Sequence, residues 1–172
     1  PEKGLDQLVK AVILLQQRIP DVRLLAGGYL GPQHQGYFDE VVKSAKPLGN
    51  NFQYIGSPAD KKGKIEFLKS IDVFCVPTVY QEPKGIYVLE AWANGLPVVL
   101  PEHGAFPELI ESTGGGLLVP PNSPQELADA LERLLTDETL RTELARRGHS
   151  GVREMHSLQR VAEHTLQIFG DA

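Results

Sequence analysis

The chain has 172 residues, 41% hydrophobic and 23% charged, with a net charge of -5, which fits one soluble domain with a real core. That negative balance excludes a nucleic-acid binder, whose phosphate contacts need clustered positive charge. No apolar run is long enough to span a bilayer, no signal peptide is visible, and a single cysteine excludes a disulfide framework and favours a reducing compartment.

The opening Pro1-Glu2-Lys3-Gly4 reads as a strand-to-helix loop whose strand is absent, as in a piece cut from a longer protein. A helix is predicted from Leu5 to Arg18, with Leu5, Leu8, Val9 and Val12 on one face and Pro20 beyond its end. Val22 to Ala26 is an apolar strand ending in Gly27-Gly28. A weaker helical pattern covers His34 to Ala45, and Phe52 to Gly56 reads as a second strand. Lys64 to Ser70 is helical, and Asp72 to Val76 is a buried strand stopped by Pro77. Its Cys75 reads as a small buried hydrophobe rather than a reactive thiol.

Tyr87 to Asn94 is predicted helical and closed by Gly95, with a strand at Val98 to Leu100. A short helix at Phe106 to Glu111 and a strand at Gly116 to Val119 follow. Ser123 and Glu126 then form a capping box, with Pro124 at the first helical position. Leu127, Ala130, Leu131, Leu134 and Leu135 make the apolar face of that helix. Asp137 caps a further helix, which Gly148 should stop at Arg147. Ser157 caps a last one, with Leu158, Val161, Ala162, Ile168 and Phe169 facing inward.

Short apolar strands between helices predict one parallel sheet covered on both faces, a Rossmann-like α/β/α sandwich of three layers. Ligands of such sheets bind beyond the carboxyl ends of the strands. Gly27-Gly28, Gly56-Ser57 and Glu82 to Gly85 all follow predicted strands and should share that rim. The densest signal runs from Gln81 to Val99. Glu82 and Glu90 flank the turn Pro83-Lys84-Gly85 and the start of a helix. Free N–H groups at a helix start bind anions, and carboxylates accept hydrogen bonds from hydroxyls. Together these groups fit a nucleotide-sugar. The histidines His34, His103, His149, His156 and His164 are scattered, without metal-ligand spacing. No metal and no cofactor are expected, and His103, in a rim loop, reads as a solvated histidine.

Glu82, Pro83, Gly85, Glu90, Ala91, Ala93, Gly95, Leu96, Pro97, Val98 and Val99 form a pattern that resembles the nucleotide-sugar-binding domain of family-4 retaining glycosyltransferases with the GT-B fold. Glu2-Lys3-Gly4 with Leu8, Ala26-Gly27-Gly28, Gly104 to Glu108 and Gly115 to Val119 resemble further stretches of that family, so the likeness covers essentially the whole chain. It departs at Lys84, where the family carries an aromatic. The family's upstream arginine and its N-terminal acceptor-binding domain lie outside the chain. The resemblance implies that residues 1–172 are one donor-binding domain, the C-terminal half of a GT-B enzyme. It would move a sugar from a nucleotide-diphosphate sugar to an acceptor supplied by the missing half, and the piece alone should be inactive.

The resemblance also implies roles. Glu82 contacts the donor sugar and steadies positive charge developing on its ring. Glu90 accepts hydrogen bonds from the ribose hydroxyls, and Lys3 neutralises the diphosphate. Gly85, Ile86 and Tyr87 present backbone N–H groups to the diphosphate or sugar. Gly27 and Gly28 let backbone approach the nucleotide, Gly56 and Ser57 meet the base, and Lys84 adds charge near the diphosphate or an acidic sugar. The plain alternatives are a solvated loop glutamate at Glu82, a helix-dipole carboxylate at Glu90, a frayed terminal Lys3, ordinary glycine turns and a solvent-facing Lys84.

Three rival functions remain at this stage. A nucleotide-sugar epimerase needs acid–base residues that the sequence does not offer. A dinucleotide oxidoreductase needs Gly-x-Gly-x-x-Gly after the first strand, and Lys3-Gly4 has no such pattern. A non-catalytic nucleotide-sugar-binding module has Lys84 as its sole support. The expected setting is cytoplasmic, with peripheral contact at the inner membrane face only through the missing half.

Overall fold

The computed structural model describes residues 1–170, without the side chains at positions 158, 164, 168 and 170. In chain order the elements are α1 (Leu5–Gln16), β1 (Leu24–Ala26), α2 (Gln35–Ser44), β2 (Phe52–Tyr54), α3 (Lys61–Lys69) and β3 (Phe74–Cys75). Then come α4 (Ile86–Ala93), β4 (Val98–Pro101), α5 (Phe106–Thr113), β5 (Gly116–Val119), α6 (Pro124–Thr136), α7 (Glu138–Met155) and α8 (Leu158–Gly170).

Every strand pair is parallel. Leu24, Leu25 and Ala26 of β1 lie against Phe52, Gln53 and Tyr54 of β2. β4 pairs with β3 on one edge and with β5 on the other. The expected single sheet is therefore corrected to two ladders, β1–β2 and β3–β4–β5. In the 3-2-1-4 order of a doubly wound sheet the innermost strand is the first of the unit. Here β1 pairs only with β2, and β3 only with β4, among the described residues.

β4 shows why the fold has three layers. All four of its residues are buried, and successive side chains leave a strand on opposite faces. Val99 enters a core with Val9, Leu15, Leu127, Leu131 and Leu134, from α1 and α6. Val98 and Leu100 enter a second core with Val88, Trp92, Phe106 and Val152, from α4, α5 and α7. Fully burying such a side chain is worth about 1.5–3 kcal/mol, so the alternation itself fixes a helical layer on each face. The chain has the expected Rossmann-like α/β/α architecture. Cys75 of β3 is partly buried against the first core, and burial raises its thiol pKa well above the usual range.

Several element boundaries move. α3 begins at Lys61 because the Asp60 carboxylate caps the Gly63 N–H at 2.8 Å. Ser123 makes no side-chain capping bond, so the expected capping box does not form. Asp137 does cap α7, accepting from Leu140 N–H at 2.8 Å, and Ser157 accepts from Arg160 N–H at 3.4 Å.

Gly148 does not stop α7, which continues to Met155. Its missing side chain makes room for Trp92, since a Cβ there would lie 2.2 Å from Trp92 Cδ1. Val161, Ala162 and Phe169 of α8 do not face inward. Val161 is 53% and Phe169 77% exposed. The side chains of Leu158, Ile168 and His164 lie outside those described. Among the described residues, no helix is long and apolar enough to cross a membrane.

Candidate functional site

The site begins where β3 ends. Glu82 precedes Pro83, which keeps its backbone out of the helical region. The loop between β4 and α5 then clasps that backbone. Ala105 N–H donates to the Glu82 carbonyl at 2.8 Å, and Gly104 N–H donates to Gln81 Oε1 at 2.7 Å. Gly104 has φ +60°, and a Cβ there would lie 2.6 Å from both the nitrogen and the carbonyl oxygen of Glu82. Only glycine permits this approach. The carboxylate so placed is buried, with Glu82 6% exposed.

Five donors reach that carboxylate. Oε1 accepts from the N–H groups of Lys84 at 3.3 Å and Gly85 at 3.2 Å. Oε2 accepts from Lys3 Nζ at 2.7 Å, from the Tyr87 hydroxyl at 2.7 Å and from the Tyr80 hydroxyl. Lys3 also donates to the Tyr80 oxygen at 2.7 Å. Its ammonium lies 5.0 Å from the Tyr80 ring centre and 4.6 Å from that of Tyr87, within cation–π range. The Lys3 loop is held there by Val79 N–H, which donates to the Glu2 carbonyl at 2.9 Å.

Burial opposes ionisation of Glu82. The hydrogen bonds from Lys3, Tyr80, Tyr87 and Gly85 outweigh it and hold the carboxyl far below the usual carboxylate range. Burial likewise opposes the charge on Lys3, but its bonds to Glu82 and Tyr80 raise its pKa. Burial first, and then Glu82, push the Tyr87 hydroxyl well above its ordinary value. Chemically, Glu82 is a fixed negative charge. It can accept hydrogen bonds and stabilise positive charge, but it carries no proton to give.

Gly85, at φ 62°, turns the chain into α4. Its own N–H is engaged by Glu82, as is that of Lys84. The Ile86 and Tyr87 N–H groups, in the first turn of α4, have no partner among the described residues. The Lys84 side chain is exposed. Glu90 lies one turn further along and is partly exposed, its carboxylate held by Lys64 Nζ of α3 at 2.8 Å.

At the ends of β1 and β2, Gly28 N–H donates to the Gly56 carbonyl at 2.9 Å, and Tyr54 donates to the Gly28 carbonyl at 2.6 Å. Gly27 sits under Phe67 of α3, and Ser57 is exposed beside Gly56.

Lys3, Glu82, Gly85 and Tyr87 are thus in direct contact. Glu90 belongs to a second ion pair, and the glycines of β1 and β2 form a third group, joined to Glu90 through α3. Tyr80 and Lys64 are additions to the sequence-based site. Tyr80 stands two positions before Glu82, and the bend at Val79 and Tyr80 brings its hydroxyl to the carboxylate. Lys64 has no local signal. His103 is not simply solvated: its Nε2 lies 2.9 Å from the Thr78 carbonyl, to which it donates.

A groove of about 600 Å³ lined by Ile65, Lys69, Asn94, Arg146 and His149, among others, lies at the far end of α4 and includes none of these residues. Among the described residues, no cluster of His, Cys, Asp and Glu could hold a metal ion.

A family model described as "Glycosyl transferases group 1" matches residues 1–150. The phosphatidyl-myo-inositol mannosyltransferase of Mycobacterium tuberculosis is 31% identical over 173 residues, covering 98% of this chain and 44% of that protein. The C-terminal domain of a group 1 family glycosyl transferase from Francisella tularensis superposes with a TM-score of 0.83 at 28% identity, over 91% of this chain and 81% of that one. HepE of Anabaena, solved with UDP and glucose, superposes with a TM-score of 0.89 at 22% identity, over 100% of this chain and 46% of that one. The chain spans less than half the length of the curated relatives it matches.

Proposed function

Because the chain belongs to the group 1 glycosyl transferases, we propose that it is the donor-binding, C-terminal half of a retaining, family-4 GT-B enzyme. That enzyme moves a sugar from a nucleotide-diphosphate sugar to an acceptor bound by an N-terminal half. The observation that carries this reading is the juxtaposition of Glu82, Lys3 and the first turn of α4. One buried carboxylate, one ammonium and two unpartnered backbone N–H groups meet at a strand's carboxyl end.

Donor binding places the diphosphate against the Ile86 and Tyr87 N–H groups, where the helix dipole favours negative charge. Lys3 adds the compact cation that neutralises the leaving phosphate. Glu90 accepts from the ribose hydroxyls. Gly27 and Gly28 give the nucleotide close backbone approach, and Gly56 and Ser57 lie toward the base.

Glu82 faces the sugar. Kept ionised, it serves not as an acid but as the fixed charge that stabilises an oxocarbenium-like transition state. Attack on the face from which the phosphate departs gives retention, and the leaving phosphate helps deprotonate the acceptor. With Lys3 and α4 on the diphosphate, the chemistry needs no metal. The enzyme works in the cytoplasm, and any contact with the inner membrane face is made through the N-terminal half.

A thermal-shift panel of UDP, GDP and ADP tests the reading. A ligand at a hundred times its Kd stabilises the folded chain by about 2.7 kcal/mol, so the matching diphosphate should raise Tm and its nucleoside should raise it less. No shift with any of the three would overturn the assignment.

A further inference from the structure

Glu82 is over-supplied with donors. A carboxylate offers about four lone-pair sites, yet two N–H groups reach Oε1, and Lys3, Tyr80 and Tyr87 all reach Oε2. One of the five donors is therefore surplus to that capacity.

The donors differ in how firmly they are fixed. The Lys84 and Gly85 N–H groups belong to the turn into α4. The Tyr87 ring is partly buried, 6.3 Å from the ring of Phe74 and 6.5 Å from that of Phe106. Lys3 sits at the end of a long flexible chain, and its side chain is 53% exposed. It can move without unpacking anything.

We propose that Lys3 is the exchangeable partner of Glu82, and that Tyr80 and Tyr87 are positioning residues that keep the carboxylate bonded while Lys3 passes to the donor's diphosphate. The inference rests on the donor-binding reading above.

A buried carboxylate stripped of its cation is strongly destabilising unless its lone pairs stay occupied. Two hydroxyls and two N–H groups leave Glu82 with four hydrogen bonds, which matches its capacity. The two tyrosine rings hold the ammonium beside the exchange position in the meantime. A nucleoside diphosphate draws the cation off, and the tyrosines hold the carboxylate that remains.

The test titrates the chain, and its Tyr80→Phe, Tyr87→Phe and double variants, by calorimetry. The probes are whichever of UDP, GDP and ADP binds the wild type most tightly, and its parent nucleoside. Each single change should weaken the diphosphate about two- to tenfold and the double change more than tenfold, the scale of lost hydrogen bonds. Nucleoside affinity should not change, because a nucleoside leaves Lys3 in place.

A double variant that binds diphosphate like the wild type overturns the proposal. So does an equal loss for nucleoside and diphosphate, which would mark the tyrosines as merely structural. If the double variant fails to fold, Tyr80→Phe alone decides by the same comparison. If the wild type binds none of the three diphosphates, the donor-binding reading fails first and the proposal falls with it.

Discussion

Lys3 and Glu82 stand 79 positions apart in the chain and 2.7 Å apart in space. Their ion pair ties the loop before α1 to the loop after β3. The pair is therefore a tertiary tie between two loops as well as the centre of the candidate site.

The two glutamates should separate in titrations. Glu90→Gln should weaken nucleoside diphosphate and nucleotide-sugar alike, by roughly ten- to a hundredfold, the value of a charged hydrogen bond. Glu82→Gln should leave nucleoside-diphosphate affinity much closer to wild type, yet lower turnover strongly in the full-length enzyme. Calorimetry on the chain and kinetics on the full-length protein give both numbers. Equal loss of plain diphosphate in both variants would contradict the assigned roles.

Lys84 contributes its backbone N–H to Glu82 and sends its side chain to solvent. Lys84→Phe should therefore change nucleoside-diphosphate affinity by less than about threefold. A tenfold loss, ~1.4 kcal/mol, would make the ammonium a phosphate ligand.

Gly148→Ala places a methyl group 2.2 Å from Trp92 Cδ1, between α7 and α4. Overpacking of this kind costs about 1–3 kcal/mol. Urea unfolding should show that loss, and donor affinity should fall as well because α4 carries Glu90 and the free N–H groups. Unchanged stability would mean that the two helices part without cost.

The pH dependence of stability follows from Glu82. Its carboxyl pKa is lowered by folding, so its contribution is full above the unfolded value of about 4.3 and is lost as pH falls through the folded value. Lys3 is raised by folding, so its share is present below its ordinary pKa and is lost only at higher alkaline pH. The stability gap between wild type and Glu82→Gln should be flat from about pH 5 to 9 and shrink in stronger acid. Urea melts across that range measure it, and a gap that closes near neutral pH would contradict the direction of the shift.

Much of the site was legible because its signals are local. Glu82, Pro83, Gly85 and Glu90 lie within one short stretch, and the rim loops follow strands that apolar runs mark plainly. Tyr80 was not, because the bend at Val79 and Tyr80 that turns it toward Glu82 leaves no periodic signal. Nor was Lys64, because its approach to Glu90 depends on where α3 packs. Gly148 shows a different limit. A glycine after a helical run signals a stop, but the same residue also permits close packing, and only the position of Trp92 decides between them. The split into two ladders was equally hidden. Apolar runs mark strands, not which edges pair. The outward apolar residues of α8 follow the helical pattern but find no opposing element among the described residues.

Trp92 is the chain's only tryptophan. It is fully buried, with its indole N–H bonded to the Gly115 carbonyl at 2.9 Å. It also shares a helix with Glu90. A single optical label thus sits in the helix whose first turn carries the Ile86 and Tyr87 N–H groups. Any change in intrinsic indole emission belongs to one known position, so a shift in the seating of α4, by ligand or by denaturant, can be followed without attaching a dye.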